Sequence, residues 1–173
     1  MNIILNNTKV EAYIEHLNKV SIQTPHFEFS SQKLIFTTNG FAKQLINENV
    51  QPARAQVLIT KPIENLDIKG TFHLDCGYYY FRNIDNRILL GGGRHLDIKT
   101  ETTTKLAQTE KIQQSLENLL KYTILPERDY EIELRWSGIM GVGPQKKPIV
   151  KQLSNHVYCG VRMGGMGVAI GCL

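Results

Sequence analysis

Near the end of the chain the sequence runs Gly160-Val161-Arg162-Met163-Gly164-Gly165-Met166-Gly167-Val168-Ala169-Ile170-Gly171. A glycine turn between an apolar strand and a small-residue helix can face an anion. The first helical N–H groups have no intrahelical partner, and the dipole end there is positive. Glycines also let a planar ligand approach the backbone closely. Arg162, just before the turn, can hold a carboxylate through two hydrogen bonds. The spacing is not GxGxxG, so a plain turn packing a helix on a sheet stays open as the alternative. For Arg162 the alternative is a surface ion pair.

Other residues offer less. His95, in Gly91-Gly92-Gly93-Arg94-His95, could serve as a base, but no partner is visible beside it. His16, His26, His73 and His156 are scattered and form no motif. In Tyr78-Tyr79-Tyr80-Phe81-Arg82, strand geometry puts Tyr80 and Arg82 on one face and Tyr79 on the other. The face with Arg82 is a pocket candidate; core packing plus a surface tyrosine is the plainer reading.

The elements that position these residues are mostly strands. Val10, Ala12 and Ile14 alternate, as do Val20 and Ile22, then Phe27 and Phe29, which predicts short half-buried strands. Lys33 to Thr38 is a continuous apolar-rich run, expected to be a strand buried on both faces that turns at Asn39-Gly40 into a short helix over 41–46. Ala53 to Thr60 reads as a strand bounded by Pro52 and Pro62. Asn83 to Asn86 suits a hairpin between 78–82 and 87–92. One long helix is expected from about Thr103 to Tyr122, with Leu106, Thr109, Ile112, Leu116, Leu119 and Leu120 in one stripe and threonines capping its start. Tyr130 to Trp136 alternates as a strand, 138–148 is a loop rich in Gly, Pro and Lys, and His156 to Val161 is a last strand. The class is α/β (α+β), dominated by antiparallel strands.

Composition narrows the function. The chain has 173 residues, 42% hydrophobic and 21% charged, with a net charge of +4, which is ordinary for a globular domain. The cations are dispersed, so nucleic-acid binding would rest on net charge alone and is not expected. Cys76, Cys159 and Cys172 form neither a CxxC pair nor a Cys/His cluster, which argues against a zinc site or disulfide framework and for a reducing, cytoplasmic compartment. No metal site, signal peptide or membrane-spanning apolar run is expected.

Several segments in order resemble one family. Thr8-Lys9-Val10-Glu11 with Lys33 to Gly40 is similar to a strand pair ending in "ATGA". Gln51 to Leu58 is similar to "P-x-R-G-Q-x-L". Tyr79-Tyr80 through Gly93 resembles a "Y-x-R…G-x-x-x-x-G-G" hairpin. Arg135-Trp136-Ser137-Gly138 with Pro144 and Pro148 resembles a "W-x-G…P…P" loop, and Gly164 to Val168 resembles a "G-x-G-H-G" turn. Together they resemble flavin-dependent oxidoreductases of the D-amino-acid oxidase, glycine oxidase and sarcosine oxidase type, over essentially the whole chain. The resemblance implies an enzyme that oxidises an amine or amino acid by hydride transfer to FAD. It implies a remnant of the FAD-binding domain at 1–50, a substrate-binding antiparallel sheet and helix at 51–135, and a return to the FAD-binding domain at 136–173. By the same carry-over, Val10 would lie near the adenine, Thr38, Asn39 and Gly40 near the pyrophosphate, and Gly164, Gly165, Met166 and Gly167 at the flavin ring. Arg162, Tyr80 and Arg82 would face the substrate; no catalytic residue is assigned, since the redox chemistry would belong to the flavin.

Departures from the pattern sharpen the expectation. No GxGxxG occurs, so the N-terminal Rossmann unit is missing and the chain is expected to be a fragment with a cut-short final helix. The family's usual histidine in the last turn is Met166, and Met140 and Gln145 stand where many members carry Arg and Asp. No cysteine lies in 138–148, so FAD is expected to be bound non-covalently. The alternative is a non-catalytic fragment or binding module that does not hold flavin by itself. Unpaired strand edges would favour a homo-oligomer.

Overall fold

The computed structural model describes residues 3–172. They divide into two compact units: one comprises the chain up to Gln51 and again from Gly141, the other Pro52–Met140.

The first unit holds two sheets. β1 (Ala12–Glu15), β2 (Val20–Gln23) and β3 (Glu28–Ser31) form an antiparallel meander. Its turns close through short backbone bonds, His16 N–H to Lys19 O at 2.8 Å and Thr24 N–H to Phe27 O at 3.0 Å. The second sheet joins β4 (Leu34–Phe36), β10 (Ile149–Gln152) and β11 (Val157–Val161) in the order β10-β11-β4. β10 runs antiparallel to β11, whereas β4 runs parallel to it, with Phe36 opposite Cys159. Phe36, Val157, Cys159 and Val161 point into a core shared with Val20, Ala42, Ile46 and Val50. Burial pushes the Cys159 thiol up, as befits a small core residue rather than a nucleophile.

The second unit is a five-stranded antiparallel sheet with a helix on one face. β5 (Gln51–Thr60), β6 (Thr71–Leu74), β7 (Tyr79–Ile84), β8 (Arg87–Gly92) and β9 (Ile132–Val142) are ordered β6-β7-β8-β5-β9. Asp85 and Asn86, with φ of 47° and 57°, make the two-residue turn between β7 and β8. Both residues in the left-handed region is the geometry that matches the twist of the flanking strands, and Asp and Asn tolerate it. A one-turn helix α1 (Ile98–Glu101) precedes the main helix α2 (Glu110–Leu119), which continues into a π-helical turn over Leu120–Ile124. Ile112, Leu116 and Leu120 recur at four-residue spacing and pack on Leu58, Phe81, Ile88 and Leu90.

Five sequence expectations are corrected. The helix begins at Glu110, not near Thr103, because residues 102–109 lie extended in a polar network described below. Thr109 is its N-cap residue, but the hydroxyl is used elsewhere and does not cap. The strand over 33–38 shrinks to Leu34–Phe36 and is not buried on both faces, since Ile35 is 62% exposed. The 138–148 loop gives up its first half to β9, which runs on to Val142, and Pro52 lies inside β5 rather than before it. The periodicity of Tyr130 to Trp136 ends where small residues begin, yet the strand continues.

Candidate functional site

The parallel pairing of β4 and β11 places their carboxyl ends side by side. Each strand then leaves the sheet in a short loop, 37–38 after β4, leading into a 3-10 turn over Asn39–Gln44 in place of the helix expected over 41–46, and 162–166 after β11. Crevices outside the carboxyl ends of parallel strands are where open sheets take their ligands. Thr38, Asn39, Gly40, Gly164, Gly165, Met166 and Gly167 are therefore brought into one neighbourhood.

The two loops are stitched together. The Asn39 side-chain oxygen accepts the Met163 N–H at 3.1 Å, with Asn39 itself at φ 43°. The Gly164 N–H donates to Gly141 O at 2.9 Å, and the Met166 N–H returns to Met163 O at 2.9 Å. Gly141 must be glycine, because a Cβ there would stand 2.5 Å from Asn39 Oδ1. On the other side of the turn there is space: a Cβ on Gly164 would meet nothing within 4 Å. Gly164 and Gly165, at φ 59° and 82°, take the left-handed conformation that keeps the loop tight. The helix after them, α3 (Gly167–Ile170), is a single turn.

The Thr38 hydroxyl is buried and has no hydrogen-bond partner among the described residues. A buried hydroxyl without a partner costs about 1–3 kcal/mol. Because the oxygen is enclosed, the segment after β4 must shift before it can donate to a ligand oxygen. The charge distribution fits an anion as well. The first unit holds Glu11, Glu15, Glu28 and Glu48 as its only carboxylate side chains, and the stretch from Gly141 onward carries Lys146, Lys147, Lys151 and Arg162 without an Asp or Glu. Basic and acidic residues balance in Pro52–Met140, so the net positive charge of the chain resides in the first unit. An orphaned donor, an open glycine turn and an electropositive unit suit the diphosphate and ring edge of a flavin dinucleotide.

Arg162 sits at the head of the turn with φ 61°. Its Nε donates to Lys147 O at 2.9 Å and its Nη1 to Asn49 O at 3.2 Å, and its stem lies where a Cβ on Gly143 would come within 2.6 Å of Cδ. It makes no ion pair among the described residues. Val10 lies apart, at the start of the β1–β2 ladder, where the neighbouring Glu11 N–H bonds Gln23 O at 2.9 Å.

Tyr80 and Arg82 belong to the second unit, on the face of β7 opposite its helix. Tyr79 and Phe81 fill the core, which leaves Tyr80 half-buried and Arg82 exposed. The Tyr80 ring lies across the cross-strand Gly91, where a Cβ would stand 2.5 Å from the phenol oxygen. Burial pushes that phenol up, so it remains a neutral donor. His73 lies opposite Tyr80 on β6. The structure supplies His95 with a neighbour that the sequence did not show: its Nε2 lies 3.5 Å from the Asp75 carboxylate and its ring rests on Tyr78 at 4.1 Å, while its buried Nδ1 bonds nothing among the described residues. Two contributors escaped the sequence reading. Gly141 and Gly143 shape the loop pair through their missing side chains, and their only signal was the Gly-Val-Gly spacing.

Among the described residues, no cluster of His, Cys, Asp and Glu could hold a metal ion, and no helix is long and apolar enough to cross a membrane.

Solved structures share this fold. L-proline dehydrogenase from P. horikoshii superposes with a TM-score of 0.76 at 18% identity, over 94% of this chain and 46% of that one. Iminodiacetate oxidase from Chelativorans sp. gives 0.75 at 15% identity, over 96% of this chain and 46% of that one. Glycine oxidase from Bacillus cereus gives 0.71 at 15% identity, over 92% of this chain and 45% of that one. The chain thus spans a little under half of the length of these proteins. Comparison with curated proteins gives no match. The sequence matches the FAD dependent oxidoreductase family (DAO) over residues 3–173. With that match covering nearly the whole sequence, the chain belongs to the family of FAD dependent oxidoreductases.

Proposed function

We propose that the chain forms part of a flavin enzyme that oxidises an amine or amino acid by hydride transfer to FAD, held non-covalently. The observation that carries this reading is the pair of stitched loops at the parallel ends of β4 and β11, with the buried, partnerless Thr38 hydroxyl between them. Thr38, Asn39 and Gly40 would hold the pyrophosphate, Gly164 to Gly167 the ring edge, and Val10 the adenine side. When bound, the flavin supplies the hydride acceptor.

The residues of this chain bind and orient. The Gly164 and Met166 N–H groups are taken within the protein, so those of Gly165 and Gly167 would be the ones to stabilise negative charge on a ring edge, and the glycines would allow close approach. Arg162 has its guanidinium fixed by two carbonyls, and its Nη2 is left to meet a substrate carboxylate. Tyr80 offers a neutral phenol donor and Arg82 a cation, by the family resemblance toward a small-molecule substrate. Such placement acts through orientation of the reacting C–H bond. The exposed free thiols Cys76 and Cys172 suit a reducing, cytoplasmic setting.

Titration of the purified chain with FAD, followed by flavin fluorescence, tests the reading. Saturable quenching that weakens in Thr38→Val and Gly164→Val supports it. The second reading, a non-catalytic module that does not hold flavin by itself, draws on the chain spanning 46% of the proline dehydrogenase length. Absence of quenching at saturating protein selects it.

A further inference from the structure

In the second unit one buried carboxylate gathers an unusual number of bonds. Glu101, fully buried at the end of α1, accepts Arg54 Nε at 2.8 Å on Oε2 and Arg54 Nη2 at 2.9 Å on Oε1. Gln56 Nε2 and the Thr109 hydroxyl add bonds to Oε1 at 3.0 and 2.9 Å. Gln56 Oε1 in turn accepts the Thr109 N–H and Gln113 Nε2, each at 3.0 Å. Arg54 is the charged group bonded to Glu101; Arg135 of β9 reaches the network only through Gln113, and Glu117 of α2 only through Arg135.

The segment 102–109 is tied down by this network. Arg54 Nη1 reaches Lys105 O at 3.4 Å, the Ala107 N–H donates to Ser137 Oγ at 3.0 Å, and Gln108 Nε2 reaches Arg135 O at 3.4 Å. The segment therefore lies as a strap over β5 and β9. It contributes no residue to the hydrophobic core, and its one large apolar side chain, Leu106, is 67% exposed. What holds it is polar, and its release would wet polar groups rather than apolar surface. Segments with few buried apolar contacts open at low free energy, independently of the core.

We propose that Glu101 is the latch of this strap, and that 102–109 detaches as a unit, with the core intact, when that carboxylate loses its charge. The bonds lost are charge-assisted, the strongest of their kind. The core of α2 against β5, β7 and β8 does not depend on them.

Residue-resolved hydrogen exchange on the full chain tests this. In Glu101→Gln the protection of the Ala107 and Thr109 amides should fall roughly tenfold or more, as expected for loss of a bond to a charged group. The amides of Leu116 and Leu90 should keep theirs. Leu106→Ala should leave strap protection unchanged, because no apolar contact holds it. Wild-type protein gives a second measurement that needs no variant: on acidification, strap amides should lose protection at a higher pH than the Leu116 amide. Equal loss at the strap and at Leu116, in either measurement, overturns the latch, as does unchanged strap protection in Glu101→Gln.

Discussion

Thr38 and Arg162 are the residues on which the proposed site turns, and each makes a separable prediction. Thr38 buries a hydroxyl that no described residue satisfies. Thr38→Val removes that cost of about 1–3 kcal/mol. The flavin-free protein should hold or raise its urea midpoint while FAD affinity drops by about tenfold or less, as for one neutral hydrogen bond. A variant that loses both stability and affinity would place the hydroxyl in the fold rather than the site. Arg162 works against two backbone carbonyls. In flavin-loaded enzyme, Arg162→Ala should raise KM for an amino-acid substrate with flavin content unchanged. An unaltered KM removes Arg162 from the substrate side. That Arg162 would be anchored by carbonyls at 49 and 147 was not legible in the sequence, because those partners are far off along the chain and offer backbone rather than side chain.

At the scale of elements, alternation was a good guide wherever one face of a strand meets a core. It located β1, β2, β3, β7 and β8 to within a residue or two. It misplaced the start of the long helix because Leu106 falls on the stripe that runs through Ile112 and Leu116. In the fold Leu106 is exposed, and polar bonds from Arg54, Gln56 and Ser137 pull its segment out of helix. Helical spacing cannot reveal such competition, since the partners sit on other strands. Glu101 gives this arrangement a pH dependence. Burial pushes its carboxyl up, but hydrogen bonds from Arg54, Gln56 and Thr109 outweigh that and hold it below the usual range. A group lowered in the folded state stabilises above its unfolded value and ceases to do so as pH falls through its folded value. The urea midpoint should therefore decline on acidification below the ordinary carboxylate range, and Glu101→Gln should flatten that portion of the curve. The β7–β8 hairpin offers a steric test. Gly92 is at φ 127°, and a Cβ there would lie 2.2 Å from Tyr78 O and 2.7 Å from Tyr79 Cα. Gly92→Ala should cost about 2 kcal/mol or more, since both the strain and the backbone overlap must be relieved. A near-neutral midpoint would show that the strand ends can part.

For the whole molecule, charge is the property with the widest reach. The positive excess confined to the first unit should draw a dinucleotide anion. FAD affinity is then expected to weaken several-fold as salt rises from about 0.1 M to 1 M, where the Debye length drops from about 10 Å to 3 Å. Salt-independent binding would leave the glycine turn and Thr38 to act alone. With no cysteine in 138–148, acid precipitation of loaded protein should leave the flavin in the supernatant; a yellow pellet would show a covalent link. By itself the sequence determined the class of the fold, most strand positions and the family. These depend on local alternation, on turn residues and on motifs read in order along the chain. Only the tertiary structure decided that β4 lies parallel to β11 and so brings Thr38–Gly40 beside Gly164–Gly167. It also decided that the Thr38 hydroxyl is stranded, and that Arg54, Gln56 and Thr109 converge on Glu101. Apart from Thr109, eight positions from Glu101, those facts arise from pairings between residues about 45 to more than 100 positions apart, and separation along a chain carries no record of which distant groups will share a buried space.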